Sequence, residues 1–208
     1  MSQRYDALVL GLGNLLWADE GFGVRAVEAL HAAFRFPSGV ALLDGGTLGL
    51  NLLDDVESSR RLLVLDAIDF GLVPGTLRVL RNAEVPAWTR TRLSVHQNGF
   101  NDVLALAQLH DRAPQTIALV GVQPAQLADF GGSLTDVVRA RIPEAVALAA
   151  DELAQWGFPG IAREASEAAE LLNASSLTLA AYEAERPSPE SACRTGDARL
   201  LRNISPAD

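Results

Sequence analysis

The sequence predicts an α/β fold: an open, mostly parallel sheet with one antiparallel strand. Three observations carry that prediction. An apolar run from Tyr5 to Leu10 feeds a glycine-permitted loop and then a helical pattern. A second run, Arg61 to Ile68, is apolar almost without a break, as strands covered on both faces are. Only a short turn with Pro74-Gly75 separates it from the alternating segment Gly75 to Leu80, too little chain for a parallel crossover, so that segment runs back antiparallel.

The first unit sets the pattern. Its loop reads Gly11-Leu12-Gly13-Asn14-Leu15-Leu16-Trp17-Ala18-Asp19-Glu20-Gly21-Phe22-Gly23, and Val24, Val27, Leu30 and Phe34 follow at the spacing of one helix face. In open α/β sheets ligands bind outside the carboxyl ends of the strands, which makes Asp19 and Glu20 site candidates. The competing reading is local, with Asp19 capping the helix and Glu20 at the positive end of its dipole. Val40 to Asp44, closed by Gly45-Gly46, is a second strand, and Leu48 to Val56 a short helix. Arg61 to Ile68 carries Asp66 near its exit, so Gly13, Asp44 and Asp66 are expected along one sheet edge.

Asn82 to Arg92, polar and holding Pro86 and Trp88, reads as a surface loop. Ser94 to Asn98 leads into a helix with Phe100, Val103, Leu104 and Leu106, and His96 is expected just ahead of that helix. Thr116 to Val122 is the last buried strand, Gln123-Pro124 and Gly131-Gly132 mark the next loop, and Thr135 to Trp156 is a long helix that Pro143 should kink or split. Arg163 to Asn173 has the content of a further helix, whereas Ala184 to Asp208, rich in Pro, Ser, Arg and Glu, is too poor in apolar residues to fold by itself. The expected organisation is an α/β domain over residues 1–160 and a C-terminal extension over 161–208, partly helical and then disordered.

The totals bound the function. The 208 residues suffice for one domain with a substantial core, and a single cysteine, Cys193, permits no internal disulfide. A net charge of −9 and the complete absence of lysine argue against non-specific nucleic-acid binding, which needs clustered positive charge. No apolar run is long enough to span a bilayer, and the amino terminus lacks the pattern of a signal peptide. A cytoplasmic location is expected, with no nucleic-acid partner and no membrane insertion.

Glu20, Asp66 and His96 fall at separate strand exits. Two carboxylates and an imidazole suit a divalent first-row metal, and three protein ligands leave positions open for water or substrate. The local alternatives are a dipole role for Glu20, a turn-capping role for Asp66 and an ordinary surface position for His96. Asp44 and Asp69 are reserve candidates for the site or its surroundings; His31 and His110, on or at the ends of helices, are not. Dinucleotide binding is disfavoured because Leu16 occupies the place of the third glycine. There is no phosphate-loop lysine and no Gly-x-Ser-x-Gly elbow.

The blocks Gly11 to Arg25, Asp44-Gly45-Gly46-Thr47, Leu65-Asp66-Ala67-Ile68-Asp69, His96-Gln97-Asn98-Gly99-Phe100 and Leu119-Val120-Gly121-Val122-Gln123-Pro124 together resemble the nickel-iron hydrogenase maturation endopeptidases, most closely the uptake-hydrogenase branch. The resemblance spans residues 5–157. It implies a three-layer, open twisted sheet with helices on both faces. It also implies a metal-dependent endopeptidase that removes the C-terminal extension of the hydrogenase large-subunit precursor once nickel has been inserted. The metal-binding positions of the family match Glu20, Asp66 and His96. Nickel is then supplied by the substrate, Asp19 and Asp44 support the ligands, and the Trp88 loop and the Gly131-Gly132 turn contact the precursor. The long extension after about Gly160 departs from the pattern. Two other readings stay open: an assembly chaperone that binds the metal-loaded precursor without cutting it, and a small-molecule hydrolase or transferase that holds an anion in the Gly11 to Gly23 loop.

Overall fold

A computed structural model describes residues 4–85, 95–164, 166–167 and 169–186, with the backbone alone for residues 95–98. Strands β1 (Ala7–Leu12), β2 (Phe34–Arg35), β3 (Val40–Gly46), β4 (Arg61–Ala67), β5 (Leu77–Arg81), β6 (Thr116–Val122) and β7 (Ile161–Ala162) alternate with helices α1 (Phe22–Ala33), α2 (Leu53–Glu57), α3 (Val95–Leu109), α4 (Asp136–Arg139), α5 (Ile142–Gln155) and α6 (Leu179–Glu185). Five strands form one sheet in the order β3-β1-β4-β6-β5. Every pair in it is parallel except β5 with β6, where Leu77 opposes Val122. The antiparallel return follows from chain length, since residues 68–76 are too few to carry a crossover helix.

Strand alternation divides the core into two layers. Ala7 and Val9 of β1, Leu63 and Leu65 of β4, and Ala118 and Val120 of β6 pack on the side of α1 and α5. Leu8 and Leu10, Leu62 and Val64, and Ile117 and Leu119 pack on the side of α2 and α3. Each of these strand residues but Ile117 is buried to 2% exposure or less, so the continuous apolar runs in the sequence reflect a sheet covered on both faces. Burying a side chain such as Phe22, wholly enclosed, stabilises the fold by about 1.5–3 kcal/mol.

Several elements differ from the sequence expectation. Strand β1 runs on through Gly11 and Leu12 because these still pair with Asp44 and Gly46 of β3. Phe34 leaves the helix face and opens β2, which pairs with β7. The expected helix over Arg163 to Asn173 is absent from the described residues there: Arg163 bonds back to the carbonyls of Ala33 and His31, and the chain runs along α1 instead. The long helix is split into α4 and α5, with Pro143 in the first turn of the second, where its missing N–H is harmless. No helix among the described residues is long and apolar enough to cross a membrane.

Close packing of α1 on the strand ends depends on Gly23. A Cβ there would lie 2.1 Å from the carbonyl oxygen of Leu65 and 2.3 Å from that of Leu12, both backbone atoms that cannot step aside. Gly23→Ala is therefore expected to destabilise the protein by about 3 kcal/mol, the upper end for overpacking, read as a lower urea midpoint at unchanged slope.

Candidate active site

The sheet order places the direction change of the chain beside β1: the crossover through α1 leads to β3 on one side, and the one through α2 leads to β4 on the other. The carboxyl ends of β1 and β4 flank that switch point. The loop leaving β1 is pressed onto it, because a Cβ on Gly13, at φ +129°, would lie 1.7 Å from the carbonyl oxygen of Glu20. Asn14 closes the turn through its side-chain oxygen, which accepts from the Leu16 N–H at 3.0 Å. Ala18 adopts φ 43°, a left-handed conformation that costs a residue with a Cβ about 1–2 kcal/mol. A short 3₁₀ turn, Ala18–Gly21, then holds Glu20, which is partly buried.

Asp66 is the sixth residue of β4, buried and in register with Gly121 of β6. Leu62 and Val64 share its strand parity and pack on the α2 and α3 side, so its carboxylate turns to that face. Helix α3 begins at the same sheet edge. Its Gly99 meets Gly49 of the 3₁₀ turn after β3 so closely that a Cβ would come to 3.4 Å from the Gly49 Cα. His96 lies within the first turn of α3, one residue inside the helix rather than ahead of it. Its side chain lies outside the described residues, as does the loop around Trp88. The backbone thus brings the segments carrying Glu20, Asp66 and His96 to one edge. Among the described residues no group of three His, Cys, Asp or Glu side chains is disposed to hold a metal ion.

Asp44 does not join them. It has the parity of Val40 and Leu42, which pack on the α1 side, the face opposite Asp66. Burial pushes its carboxyl above the ordinary aspartate range, a shift opposed by the Asn173 amide and the Gly46 backbone and reinforced by Glu28. A role supporting the Asp66 side is therefore excluded by the register of β3. Asp69 is engaged in its own turn: its Oδ1 accepts from the Gly71 N–H and from the Gln123 amide. His31 meets the Glu170 carbonyl and His110 the Glu57 carboxylate, both away from this edge.

Asp19 does not cap the helix that follows it. Its side chain is wholly buried, and its Oδ2 accepts from the N–H groups of Ala125 and Gln126 at 2.8 and 2.9 Å while Oδ1 accepts from that of Thr135 at 2.7 Å. The Thr135 hydroxyl adds a further bond at 3.0 Å. The carboxylate next to Glu20 therefore fastens the loop after β6 to the loop after β1. Gln123 does similar work beyond β4, where its Oε1 accepts from the N–H groups of Phe70 and Leu72. Sequence reasoning placed Gln123 only in a turn; a lone glutamine after a strand carries no local signal of this long-range role.

With that edge in view, the comparisons become specific. Residues 24–152 match the sequence pattern of the hydrogenase maturation proteases, HycI. The chain belongs to that family. The hydrogenase expression/formation protein HupM of Azotobacter chroococcum mcd 1 is 53% identical over 93% of this chain and 92% of its own length. The hydrogenase 2 maturation protease of Escherichia coli K12 is 42% identical over 76% of this chain and 96% of its own length. The solved structure of the hydrogenase maturating endopeptidase HybD from E. coli superposes with a TM-score of 0.72 at 40% identity, covering 76% of this chain and 97% of that one. The fold of this family member is accordingly the same mixed sheet between helices.

Two predictions follow from the acids of this region. Asp19→Ala would remove the acceptor of three part-buried N–H groups, at about 1 kcal/mol each, the low end because water can reach them in part, and is expected to lower stability by about 3 kcal/mol in urea unfolding. Asp44 has a raised folded-state pKa, so stability is greatest with its carboxyl protonated and falls as the pH rises from the ordinary aspartate range through the folded value. Asp44→Asn is expected to raise the melting temperature at pH 7, with the gain shrinking as the pH is brought below that range.

Proposed function

We propose that this protein is an endopeptidase that removes the C-terminal extension of the nickel-loaded large-subunit precursor of a nickel-iron hydrogenase. In this reading the substrate's nickel is recognised by Glu20, Asp66 and His96. The carrying observation is the pair of acids at the switch point, Glu20 in the turn after β1 and Asp66 near the end of β4, where open α/β sheets bind ligands, in a chain of the hydrogenase maturation protease family. Carboxylates and an imidazole complete the coordination of a divalent nickel ion that arrives with the precursor. That grip sets the scissile peptide beside the ion, where a polarised carbonyl or an activated water reacts. Hydrolysis adds one water across the peptide bond, the hydroxyl going to the carbonyl carbon and a proton to the departing amine. Asp19 and Gln123 hold the two flanking loops in place while this occurs.

The test is to incubate the full chain with nickel-loaded and nickel-free precursor and weigh the products. Loss of the terminal peptide from the loaded form alone is expected. Unchanged mass in both overturns proteolysis in favour of a binding chaperone, and equal cleavage of both overturns nickel recognition. Asp66→Asn and His96→Ala are expected to reduce cleavage by at least about 100-fold, since even groups that merely support metal ligands are worth about 10–100-fold. Full activity in either variant removes that residue from the reaction.

A further inference from the structure

The chain beyond β7 returns to the catalytic edge. From Asn173, whose amide donates to Glu28 of α1 at 2.9 Å, it runs to Leu177, whose carbonyl accepts from the buried guanidinium of Arg25 at 2.5 Å. Helix α6 then lies against the turn at residues 129–133. The Tyr182 hydroxyl reaches the Gly132 carbonyl at 3.3 Å, Glu183 accepts from the Ser133 hydroxyl at 2.6 Å and pairs with Arg139 through two contacts, and Arg186 pairs with Asp129. The same turn is held from the other side by the opening loop. The Gly131 N–H donates to the Leu16 carbonyl at 2.7 Å, and Phe130 meets Trp17 edge-on with ring centroids 5.4 Å apart.

What this double grip presents is apolar and uncovered. Leu16 and Phe130 are 46% and 48% exposed, and they sit in the two loops that Asp19, the neighbour of Glu20, ties together. An aromatic held out at a clamped turn beside a peptidase site suits a protein substrate. The comparisons point the same way. HupM matches 93% of this chain, leaving room for most of the extension, whereas the E. coli hydrogenase 2 protease is matched over nearly its full length and leaves 24% of this chain outside, about the length beyond Gly160.

We propose that the C-terminal extension from Asn173 to Arg186 is a substrate-positioning part of the enzyme, in which Glu183 fixes the 129–133 turn so that Phe130 and Leu16 contact the large-subunit precursor. The inference rests on the precursor-processing reading. Glu183 is a positioning residue: it touches Ser133 and Arg139, and they shape the turn.

The experiment compares the full wild-type chain with Glu183→Ala and Glu183→Gln. Four quantities are measured: the Kd for nickel-loaded precursor, KM and kcat for its cleavage, and hydrogen exchange of the peptide spanning 126–135. In Glu183→Ala exchange at Gly131 is expected to rise about tenfold, with Kd and KM rising about tenfold and kcat changing less than about twofold. Glu183→Gln keeps an acceptor for Ser133 and Arg139 and is expected to recover most of each change. Unchanged Kd and KM, or a fall in kcat alone, overturns the proposal. So does a loss that Glu183→Gln fails to recover while both variants melt like wild type. Should Glu183→Ala fail to fold, Tyr182→Phe carries the same test with the same signs. If the wild-type chain leaves the precursor uncut, the proteolytic reading fails, and the Kd comparison still decides whether Glu183 positions the binding surface.

Discussion

One buried carboxylate organises the edge that carries the candidate site. Asp19 accepts bonds from the backbone at Ala125, Gln126 and Thr135, and so joins segments that the sheet itself keeps apart, since β1 and β6 are separated by β4. A charge withdrawn from water is tolerable only when its lone pairs are taken up by donors, and here the donors are three backbone N–H groups and the Thr135 hydroxyl. The geometry of the Glu20 turn is thereby fixed from its neighbouring residue.

The second constraint is steric. Gly13 and Gly23 allow backbone to rest directly on backbone, so the opening loop and the first turn of α1 lie on the ends of β1 and β4. Together with the wholly buried strands beneath, this gives the pair of acids a rigid base. Sites built on strand ends hold their geometry better than sites built on free loops.

Much of the fold was legible in the sequence because its signals are local. Continuous apolar runs marked the strands buried on both faces, the short Pro74-Gly75 connection marked the antiparallel strand, and Pro143 marked the break between α4 and α5. What was not legible is set by partners distant in the chain. Asp44 and Asp66 both stand near strand exits, yet register and parity send them to opposite faces, information that resides in the pairing of β3 with β1 and of β4 with β6. Asp19 looked like a helix cap because the bonds that occupy it come from residues 125–135. The segment from Arg163 to Asn173 has a helical composition, but Ala33 and His31 of α1 hold its first residue and Glu28 its last. The placement of Glu20 in the turn after β1 and of Asp66 near the end of β4, by contrast, followed from element order alone.

The contact of α6 with the 129–133 turn has a practical corollary. Residues 124–139 lie between the opening loop and α6, with Leu134 and Val138 seated in the core layer on the α1 side. A change next to α6 therefore bears on the 129–133 turn across a short distance in space, although the chain between them is long. An affinity tag fused close behind Arg186 would load that turn directly, and preparations intended for kinetics are better labelled at the amino end.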